Sequence, residues 1–335
     1  MHDKNKLISI IDKFEQIEPI LVLGDIGVDK YTKGEVTRVS PEAPVPIVEV
    51  YEEWTKLGLA ANVSDNLQSL NVKNTICGVI GDDSHGNTLE DLVEEKGLRT
   101  WGIVRCEDRM TTFKERVVTN LQQVCRVDYE TKTAMSGETV TRLIHRVSEF
   151  LENHSSLILQ DYGKGLFNEE FSQKILAMAK EHNKFVAVDP SRITNPLLYR
   201  GANLLKPNQQ ESELMAKLLG YHETNISKIA EILVDKLELE KIIITLGAQG
   251  MLILDTKTNN TFKTIPTVAR EVFDVSGAGD TAISAIVSSL MSGATLEEAA
   301  WIGNCASGVV VAKKGTALAN QKELKEFLEK LDQIN

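Results

Sequence analysis

The sequence predicts an α/β protein: a mostly parallel sheet between two layers of helices, with a small β element added. Short apolar, β-branched runs alternate with segments of helical periodicity along most of the 335 residues, a pattern typical of parallel sheets covered by helices. Two stretches, 31–52 and about 100–130, are rich in Val, Thr and alternating polar residues and carry no helical stripe. These two stretches are expected to form a β lid over the sheet.

Six short apolar runs are the predicted strands of the central sheet. They cover residues 19–25, 74–81, 156–163, 185–190, 203–208 and 241–247. Four of these runs end in or contain a polar residue near the carboxyl end, namely Asp25, Asp161, Asp189 and Asn208. Open α/β sheets bind ligands in the crevice at the carboxyl ends of their strands. The functional site is therefore expected at this edge.

Five segments with spaced apolar residues and charged outer positions are the predicted helices. They cover residues 84–97, 138–152, 168–183, 209–219 and 224–237. We find no internal repeat, no low-complexity tract and no long linker. The sequence thus predicts one domain over residues 1–335, with the lid inserted into it.

Composition excludes several classes of protein. With 42% hydrophobic and 25% charged residues the chain has the composition of an ordinary globular protein. Its net charge of −11 disfavours binding to nucleic acid or an anionic membrane. The four cysteines show no CxxC spacing, which favours reduced thiols and no structural zinc. Without a signal peptide or a membrane-spanning apolar run, the chain is expected to be cytoplasmic.

The segment Asp274-Val-Ser-Gly-Ala-Gly-Asp280, followed by a small-residue apolar helix, carries the chemistry. The backbone N–H groups of Gly277, Ala278 and Gly279 can approach an anion closely, and the helix points its positive end at the same place. Asp280 can then accept a proton from a hydroxyl while these amides stabilise a phosphoryl group in transfer. The segment predicts an anion hole with a general base beside it.

Two other interpretations of this segment remain open. The spacing Gly277-x-Gly279-x-x-Ala282 loosely fits a dinucleotide fingerprint. Three features disfavour that interpretation. The segment lies late in the chain, polar residues rather than an apolar strand precede it, and Asp280 would repel a bound pyrophosphate. The glycines can also form a purely structural turn, with Asp280 capping the helix. A Walker A loop is absent from the sequence.

Gly-Ala-Gly-Asp280 at the start of a late helix resembles the second signature of the ribokinase or PfkB family of carbohydrate kinases. Four further segments resemble motifs of that family, in the same order along the chain. They are Gly24-Asp25 with Asp29, Gly58-Leu-Ala-Ala-Asn62, Asn208-Gln-Gln-Glu211, and Thr245-Leu-Gly247-Ala-Gln-Gly250. The resemblance implies a ribokinase-like α/β/α sandwich with ATP and Mg²⁺ as cofactors, and a homodimer formed through the β lid.

The resemblance also implies roles for individual residues. Sugar-binding roles fall on Asp25, Asp29, Gly58 and Asn62, and nucleotide-binding roles on Asn208, Thr245, Gly247 and Gly250. Glu211 is implied in magnesium binding, through water. Each has a simpler alternative: turn acids at 25 and 29, a helix amide at 62, and an acidic first helical turn at 211.

Finer features resemble the kinase of bacterial ADP-heptose synthesis, which phosphorylates D-glycero-β-D-manno-heptose 7-phosphate at C1. They are Arg38-Val-Ser-Pro-Glu-Ala-Pro-Val-Pro46, Gln122-Gln-x-x-Arg126-x-Asp128, Asp161-Tyr-Gly-Lys164-Gly and the segment 269–280. A sugar phosphate needs cations, and the candidates are Arg38, Arg126 and Lys164. Each can instead be a solvated surface charge, because Arg109, Lys114 and Arg116 compete in the same region.

This kinase is fused in many bacteria to a nucleotidyltransferase with an HxGH-type motif, and none of the six histidines here forms such a pair. The sequence is therefore interpreted as the stand-alone form. Two positions depart from the pattern: Leu59 replaces the second glycine of the usual pair, and Ser191 replaces a usual Lys. The rival hypotheses are another PfkB-type kinase, acting on fructose 6-phosphate, ribose or a nucleoside, and a non-catalytic sugar or nucleotide sensor.

Overall fold

The computed structural model describes residues 3–331, except 121, 136, 259, 270–271 and 314–316. Arg270 and Glu271 of the motif segment 269–280, and residue 121 of the predicted lid, therefore lie outside the described residues.

The central sheet contains nine strands within the described part of the chain. They are β1 (Ile20–Gly24), β4 (Asn74–Gly81), β5 (Gly102–Cys106), β8 (Ser156–Gln160), β9 (Phe185–Asp189), β10 (Leu204–Leu205), β11 (Lys241–Thr245), β12 (Met251–Asp255) and β13 (Lys263–Ile265). Their order across the sheet is β13-β12-β11-β10-β9-β8-β1-β4-β5. Pairing is parallel from β5 to β11 and antiparallel at β12 and β13. The predicted mostly parallel α/β fold is confirmed.

Helices cover both faces of this sheet. The helices on one face are α1 (Lys4–Ile11), α2 (Ala60–Ser69), α3 (Ser84–Glu95), α8 (Ala278–Met291), α9 (Leu296–Val311) and α10 (Gln321–Lys330). Those on the other are α4 (Gly137–Leu151), α5 (Glu169–Glu181), α6 (Gln209–Leu218) and α7 (Ile226–Leu237). Alternate residues of a strand point to opposite faces, so in β1 Ile20 and Val22 join the first core while Leu21 and Leu23 join the second.

All six predicted strands and all five predicted helices are present, with ends that shift by a few residues. The largest differences are in β10, which covers only Leu204–Leu205, and in β8, which ends at Gln160 rather than at residue 163. Residues 161–165 then form a loop in which Gly163 and Gly165 both have positive φ. This loop lies at the carboxyl edge of the sheet, where the site was expected.

A separate four-stranded sheet has the order β3-β2-β6-β7 within the described residues. Its strands are β2 (Ile26–Val39), β3 (Pro46–Leu59), β6 (Thr112–Val118) and β7 (Gln123–Tyr129); we call it the small sheet. The predicted bounds of 31–52 and 100–130 are wrong in two respects. The first two strands continue down to the central sheet, and residues 102–106 pair in parallel with β4 as its edge strand. Val104 packs into the main core, which explains that placement.

Among the described residues, no helix is long and apolar enough to cross a membrane.

Candidate active site

Asp280 lies in the first turn of α8, buried at the carboxyl edge of the central sheet. Its Oδ2 accepts a hydrogen bond from Asn62 Nδ2 at 2.6 Å. Its Oδ1 accepts from the Tyr162 hydroxyl at 2.8 Å and from Gln160 Nε2 at 3.3 Å. Three donors from two distant parts of the chain, α2 and the end of β8 with the loop after it, thus fix the plane of this carboxylate.

The environment of Asp280 makes it a stronger base than an exposed aspartate. Burial, with a smaller contribution from the charge of Asp189, raises its pKa from 3.8 to about 6, although the hydrogen bonds from Asn62 and Tyr162 lower it. The group is therefore mostly ionised at neutral pH, and its pKa lies close to neutrality. That is the condition for efficient general base catalysis.

The predicted anion hole has the backbone geometry that its glycines require. Gly277 caps α8 with φ 81°, in the left-handed region that favours glycine. The Ala278 N–H donates to the Val275 carbonyl at 3.2 Å. A helix offers its first-turn N–H groups to external acceptors, so Ala278 is the least available of the three predicted donors.

Lys206 and Asp189 form a buried ion pair beside this turn, with Nζ and Oδ2 3.0 Å apart. Only 4% of the Lys206 side chain is exposed. A Cβ built on Gly279 would lie 3.8 Å from the Lys206 Nζ atom, so the ammonium faces the start of α8. Sequence reasoning missed Lys206. The available signal was a lysine inside the apolar run 203–208, where a solvated charge does not fit.

A cleft of about 870 Å³ opens in front of these groups. It joins Asp280, Gly279 and the Lys206–Asp189 pair to the start of α6 and the end of β11. An adjoining apolar recess of about 460 Å³ shares Thr245, Gly247, Val275 and Gly279 with it. The recess is large enough for a heteroaromatic base, and the cleft for a chain of phosphates.

The predicted nucleotide-binding residues line these two spaces. Asn208 and Thr245 form an isolated parallel bridge at the cleft floor. Gly247 and Gly250 have φ of 58° and 91°, and a Cβ on Gly250 would lie 1.9 Å from the Ile265 carbonyl oxygen. A side chain at Gly250 would therefore disrupt the turn that shapes the recess.

Glu211 has a structural role that its simpler interpretation anticipated. Asn208 and Glu211 form a capping box at the start of α6: Glu211 N–H donates to Asn208 Oδ1, and Glu211 Oε2 accepts from the Asn208 N–H, both at 2.9 Å. Glu211 Oε1 lies 3.7 Å from Arg192 Nε. Burial raises the Glu211 pKa. Glu211 and Arg192 both line the cleft.

No cluster of three or more His, Cys, Asp or Glu side chains suited to a metal occurs in the described parts of the chain. Glu211 and Asp189 both line the cleft, and carboxylate oxygens are ligands that Mg²⁺ accepts directly or through water. The residues therefore fit a hydrated magnesium ion held mainly by phosphate oxygens, and do not fit an all-protein metal cage.

The predicted sugar-binding carboxylates line the wall between the central and small sheets. Asp25 Oδ2 accepts from the Tyr162 and Lys164 N–H groups at 2.9 and 3.2 Å, and burial raises its pKa to about 7. Asp29 accepts from Arg116 Nη1 at 2.6 Å. A Cβ on Gly58 would lie 3.1 Å from the Asp29 carboxylate, so glycine leaves that carboxylate room.

Leu59, the departure from the usual glycine pair, keeps a glycine-like backbone with φ 58° and ψ −135°. Its side chain is buried, and its Cδ1 would lie 3.2 Å from a Cβ on Gly27. It therefore packs at the base of the small sheet. It is absent from the described residues that line the cleft and the recess.

The three predicted phosphate-binding cations lie in different environments. Arg38 is exposed near the far end of β2, 3.7 Å from Glu49, and the structure does not bring it to the other candidates. Arg126 contacts Asp128 at 2.9 Å on the small sheet. Lys164 is nearly buried and contacts Glu130 at 2.6 Å. Ser191, which replaces a usual Lys, lines the cleft together with Asp189.

Comparison with known proteins settles the family. The sequence profile of the pfkB family carbohydrate kinases matches residues 37–323. The chain belongs to this family. It is a sugar kinase with a ribokinase-like fold, as the motifs predicted.

Curated relatives of this pfkB kinase include two proteins named bifunctional protein HldE. The protein from Wolinella succinogenes is 40% identical over 92% of this chain, and that from Helicobacter pylori strain J99 is 37% identical over 92%. The chain spans 64% and 66% of the length of these two relatives.

Two solved structures have the same fold as this pfkB kinase at low sequence identity. Phosphofructokinase-2 from Escherichia coli, in complex with potassium, superposes with a TM-score of 0.76, 19% identity and coverage of 95% of this chain and 100% of that one. Arabidopsis thaliana ribokinase, complexed with ribose and ATP, superposes with a TM-score of 0.71 and 18% identity. The superposition covers 93% of this chain and 99% of that one.

Proposed function

We propose that this kinase transfers the γ-phosphoryl group of ATP to the C1 hydroxyl of D-glycero-β-D-manno-heptose 7-phosphate, with Asp280 as general base. One observation carries the proposal. Asp280 is buried at the start of α8 and held by Asn62 and Tyr162, with a pKa raised to about 6. A carboxylate so placed takes the hydroxyl proton as the oxygen attacks phosphorus.

The other groups of the cleft stabilise the transferred phosphoryl group. The first-turn amides of α8 at Gly277 and Gly279, and the Lys206 ammonium, provide positive charge where negative charge develops. The ATP phosphates lie between Asn208 and Gly279, and the adenine enters the apolar recess. Glu211 would help to hold a hydrated magnesium ion, which would neutralise phosphate charge during the transfer. The small sheet closes over the bound substrate and so excludes water, which would otherwise compete as the phosphoryl acceptor.

Two lines of support favour a heptose phosphate as the acceptor. The resemblance to heptose kinases rests on Arg38–Pro46, 122–128 and 161–165, and the curated relatives named HldE share 37–40% identity with this chain. Asp25 and Asp29 supply carboxyl groups suited to sugar hydroxyls, and Asp25 is linked to Asp280 through Tyr162. Tyr162 connects Asp25 to Asp280, because its N–H donates to the Asp25 carboxyl group and its hydroxyl donates to Asp280.

A coupled assay of ADP release tests the proposal directly. The purified chain is offered Mg-ATP with heptose 7-phosphate, fructose 6-phosphate, ribose or adenosine, at equal concentrations. We expect turnover with heptose 7-phosphate, and phosphorus NMR should show a new C1 phosphate in the product. If heptose 7-phosphate is inert and another acceptor is active, the proposed substrate is wrong while the family assignment stands.

A further inference from the structure

Three lysine ammonium groups surround one carboxylate at the edge of the small sheet. Glu130, one residue beyond β7, lies 3.1 Å from Lys114 Nζ, 2.8 Å from Lys132 Nζ and 2.6 Å from Lys164 Nζ. These contacts lower the Glu130 pKa to about 2. Lys114 comes from β6 and Lys164 from the loop after β8, so the carboxylate holds together side chains from both sheets.

The group as a whole carries an excess of positive charge. Lys114 also contacts Asp128 at 3.2 Å, and Asp128 contacts Arg126 at 2.9 Å. Four cations and two carboxylates therefore share this edge, which leaves two positive charges in a chain whose net charge is −11.

The group adjoins the carboxylates expected to hold the sugar. The Lys164 N–H donates to Asp25 Oδ2 at 3.2 Å. Arg109 Nη2 fixes the backbone of the same region by donating to the Lys164 carbonyl at 2.7 Å and the Thr131 carbonyl at 3.2 Å. On the small sheet, Lys114 pairs in register with Asp29.

Partial burial sets Lys114 and Lys164 apart from ordinary surface lysines. Only 12% of each side chain is exposed, against 64% for Lys132. An anionic partner stabilises a buried ammonium group more strongly than a solvated ammonium group, because water screens the attraction less. An ammonium also has three donors, and Glu130 takes one from Lys164.

We propose that Lys114 and Lys164, anchored by Glu130, bind a phosphate monoester carried by the acceptor sugar. A phosphate monoester carries about −1.5 to −2 charges at neutral pH, which matches the excess at this site. The inference rests on the proposed function in requiring a phosphorylated acceptor, but it does not require that the sugar be a heptose. Arg38, at the far end of the small sheet, takes no part in this site.

The test compares phosphorylated acceptors with their unphosphorylated parent sugars. The wild type and the variants Lys114→Met, Lys164→Met and Lys33→Met are assayed with heptose 7-phosphate, heptose, fructose 6-phosphate and fructose. Lys33→Met is the matched control, because Lys33 lies on the same sheet and pairs with the exposed Glu52. Melting curves of every variant show whether it is folded at the assay temperature.

We expect Lys114→Met and Lys164→Met each to raise KM for the phosphorylated acceptor about ten- to hundredfold, the loss typical of a charge-assisted hydrogen bond. KM for ATP and for any unphosphorylated acceptor should stay near the wild-type value, as should all constants of Lys33→Met. Lys114→Arg, which keeps the charge, should give a smaller rise and serves if Lys114→Met fails to fold.

The outcomes separate this inference from the proposed substrate. Turnover of fructose 6-phosphate but not heptose 7-phosphate, with KM raised in both variants, supports the phosphate site and rejects the heptose. Turnover of heptose 7-phosphate with KM unchanged in both folded variants rejects the phosphate site and keeps the heptose. A wild type that prefers unphosphorylated sugars rejects both.

Discussion

At the scale of single residues, Asp280 has two properties that can be measured separately, its reactivity and its cost to stability. For reactivity, Asp280→Asn should lower kcat by about two to four orders of magnitude, the usual contribution of a general base. ATP binding, measured by calorimetry, should persist because the amide keeps the size and position of the carboxylate. Near-normal turnover in this variant would exclude Asp280 as the base.

The raised pKa of Asp280 predicts how stability depends on pH. A carboxyl group whose pKa rises from 3.8 unfolded to about 6 folded is harder to ionise in the folded state, so it destabilises the fold as pH rises through this interval. The cost at pH 8 is about 3 kcal/mol. Relative to the wild type, Asp280→Asn should therefore gain stability as the pH rises from 4 to 8, which thermal unfolding across this range measures. A stability difference that does not change with pH would contradict the raised pKa.

Lys206 and Asp189 are a buried pair in which each charge depends on the other. Lys206→Met leaves the Asp189 carboxylate without its cation, with Gln160 Nε2 still donating to it at 3.2 Å. Breaking a buried pair in this way typically costs about 3–5 kcal/mol. Denaturant unfolding should show that loss, and Lys206→Met with Asp189→Asn should recover part of it. Additive losses in the double variant would show that the two charges do not interact.

At the scale of elements, the start of α2 shows what a departure from the usual glycine costs. Leu59 holds a conformation with φ 58° that favours glycine, and buries its side chain at the same time. Leu59→Ala and Leu59→Gly both lose the packing, about 2–5 kcal/mol for a buried leucine. Only glycine relieves the backbone strain of about 1–3 kcal/mol. Leu59→Gly should therefore be the more stable of the two, the reverse of the usual order in helices.

Element boundaries mark where sequence prediction succeeded and where it failed. Long apolar runs predicted β1, β4, β8, β9 and β11 because their burial on both faces is local information. The edge strand β5 was assigned to the lid, since a half-buried edge strand and a lid strand share the same alternation. Only the pairing with β4, a contact between distant segments, distinguishes them.

The same limit applies to the site. Asp280, Asn62 and Asp25 were predicted from motifs, and the structure brings Asn62 and Asp280 into direct contact. Tyr162, Lys206 and Gln160 were not predicted as site residues, because their roles come from partners more than a hundred positions away or from an ion pair between two strands. The spacing of Asn208 and Glu211 is that of a capping box. That the same two residues also line the cleft is visible only in the structure.

At the scale of the whole molecule, the small sheet leaves apolar side chains exposed. Val36, Val50, Tyr51 and Val127 are each more than 40% exposed on it, and β3 and β7 are its two edges. Exposed edges of this kind are sites of pairing between chains, so we propose a homodimer formed through the small sheet.

Light scattering after gel filtration tests this dimer. The wild type should have twice the mass of the chain. Val50→Asp, which puts a charge on β3 where half of the valine is exposed, should shift the population toward the monomer. The surface control Lys257→Ala, far from the small sheet at the end of β12, should remain dimeric. A monomeric wild type would reject the proposal.

Tyr162 also constrains how this scaffold can change its substrate during evolution. Its backbone belongs to the wall that includes Asp25, while its hydroxyl orients Asp280, so a substitution or insertion in residues 161–165 perturbs acceptor binding and chemistry together. Among the described residues, Lys114 on β6 is tied to the rest of the acceptor region only through Glu130 and Asp128 and makes no contact with the partners of Asp280. Acceptor preference is therefore expected to change with less loss of turnover through substitutions on β6 and β7 than through substitutions in residues 161–165.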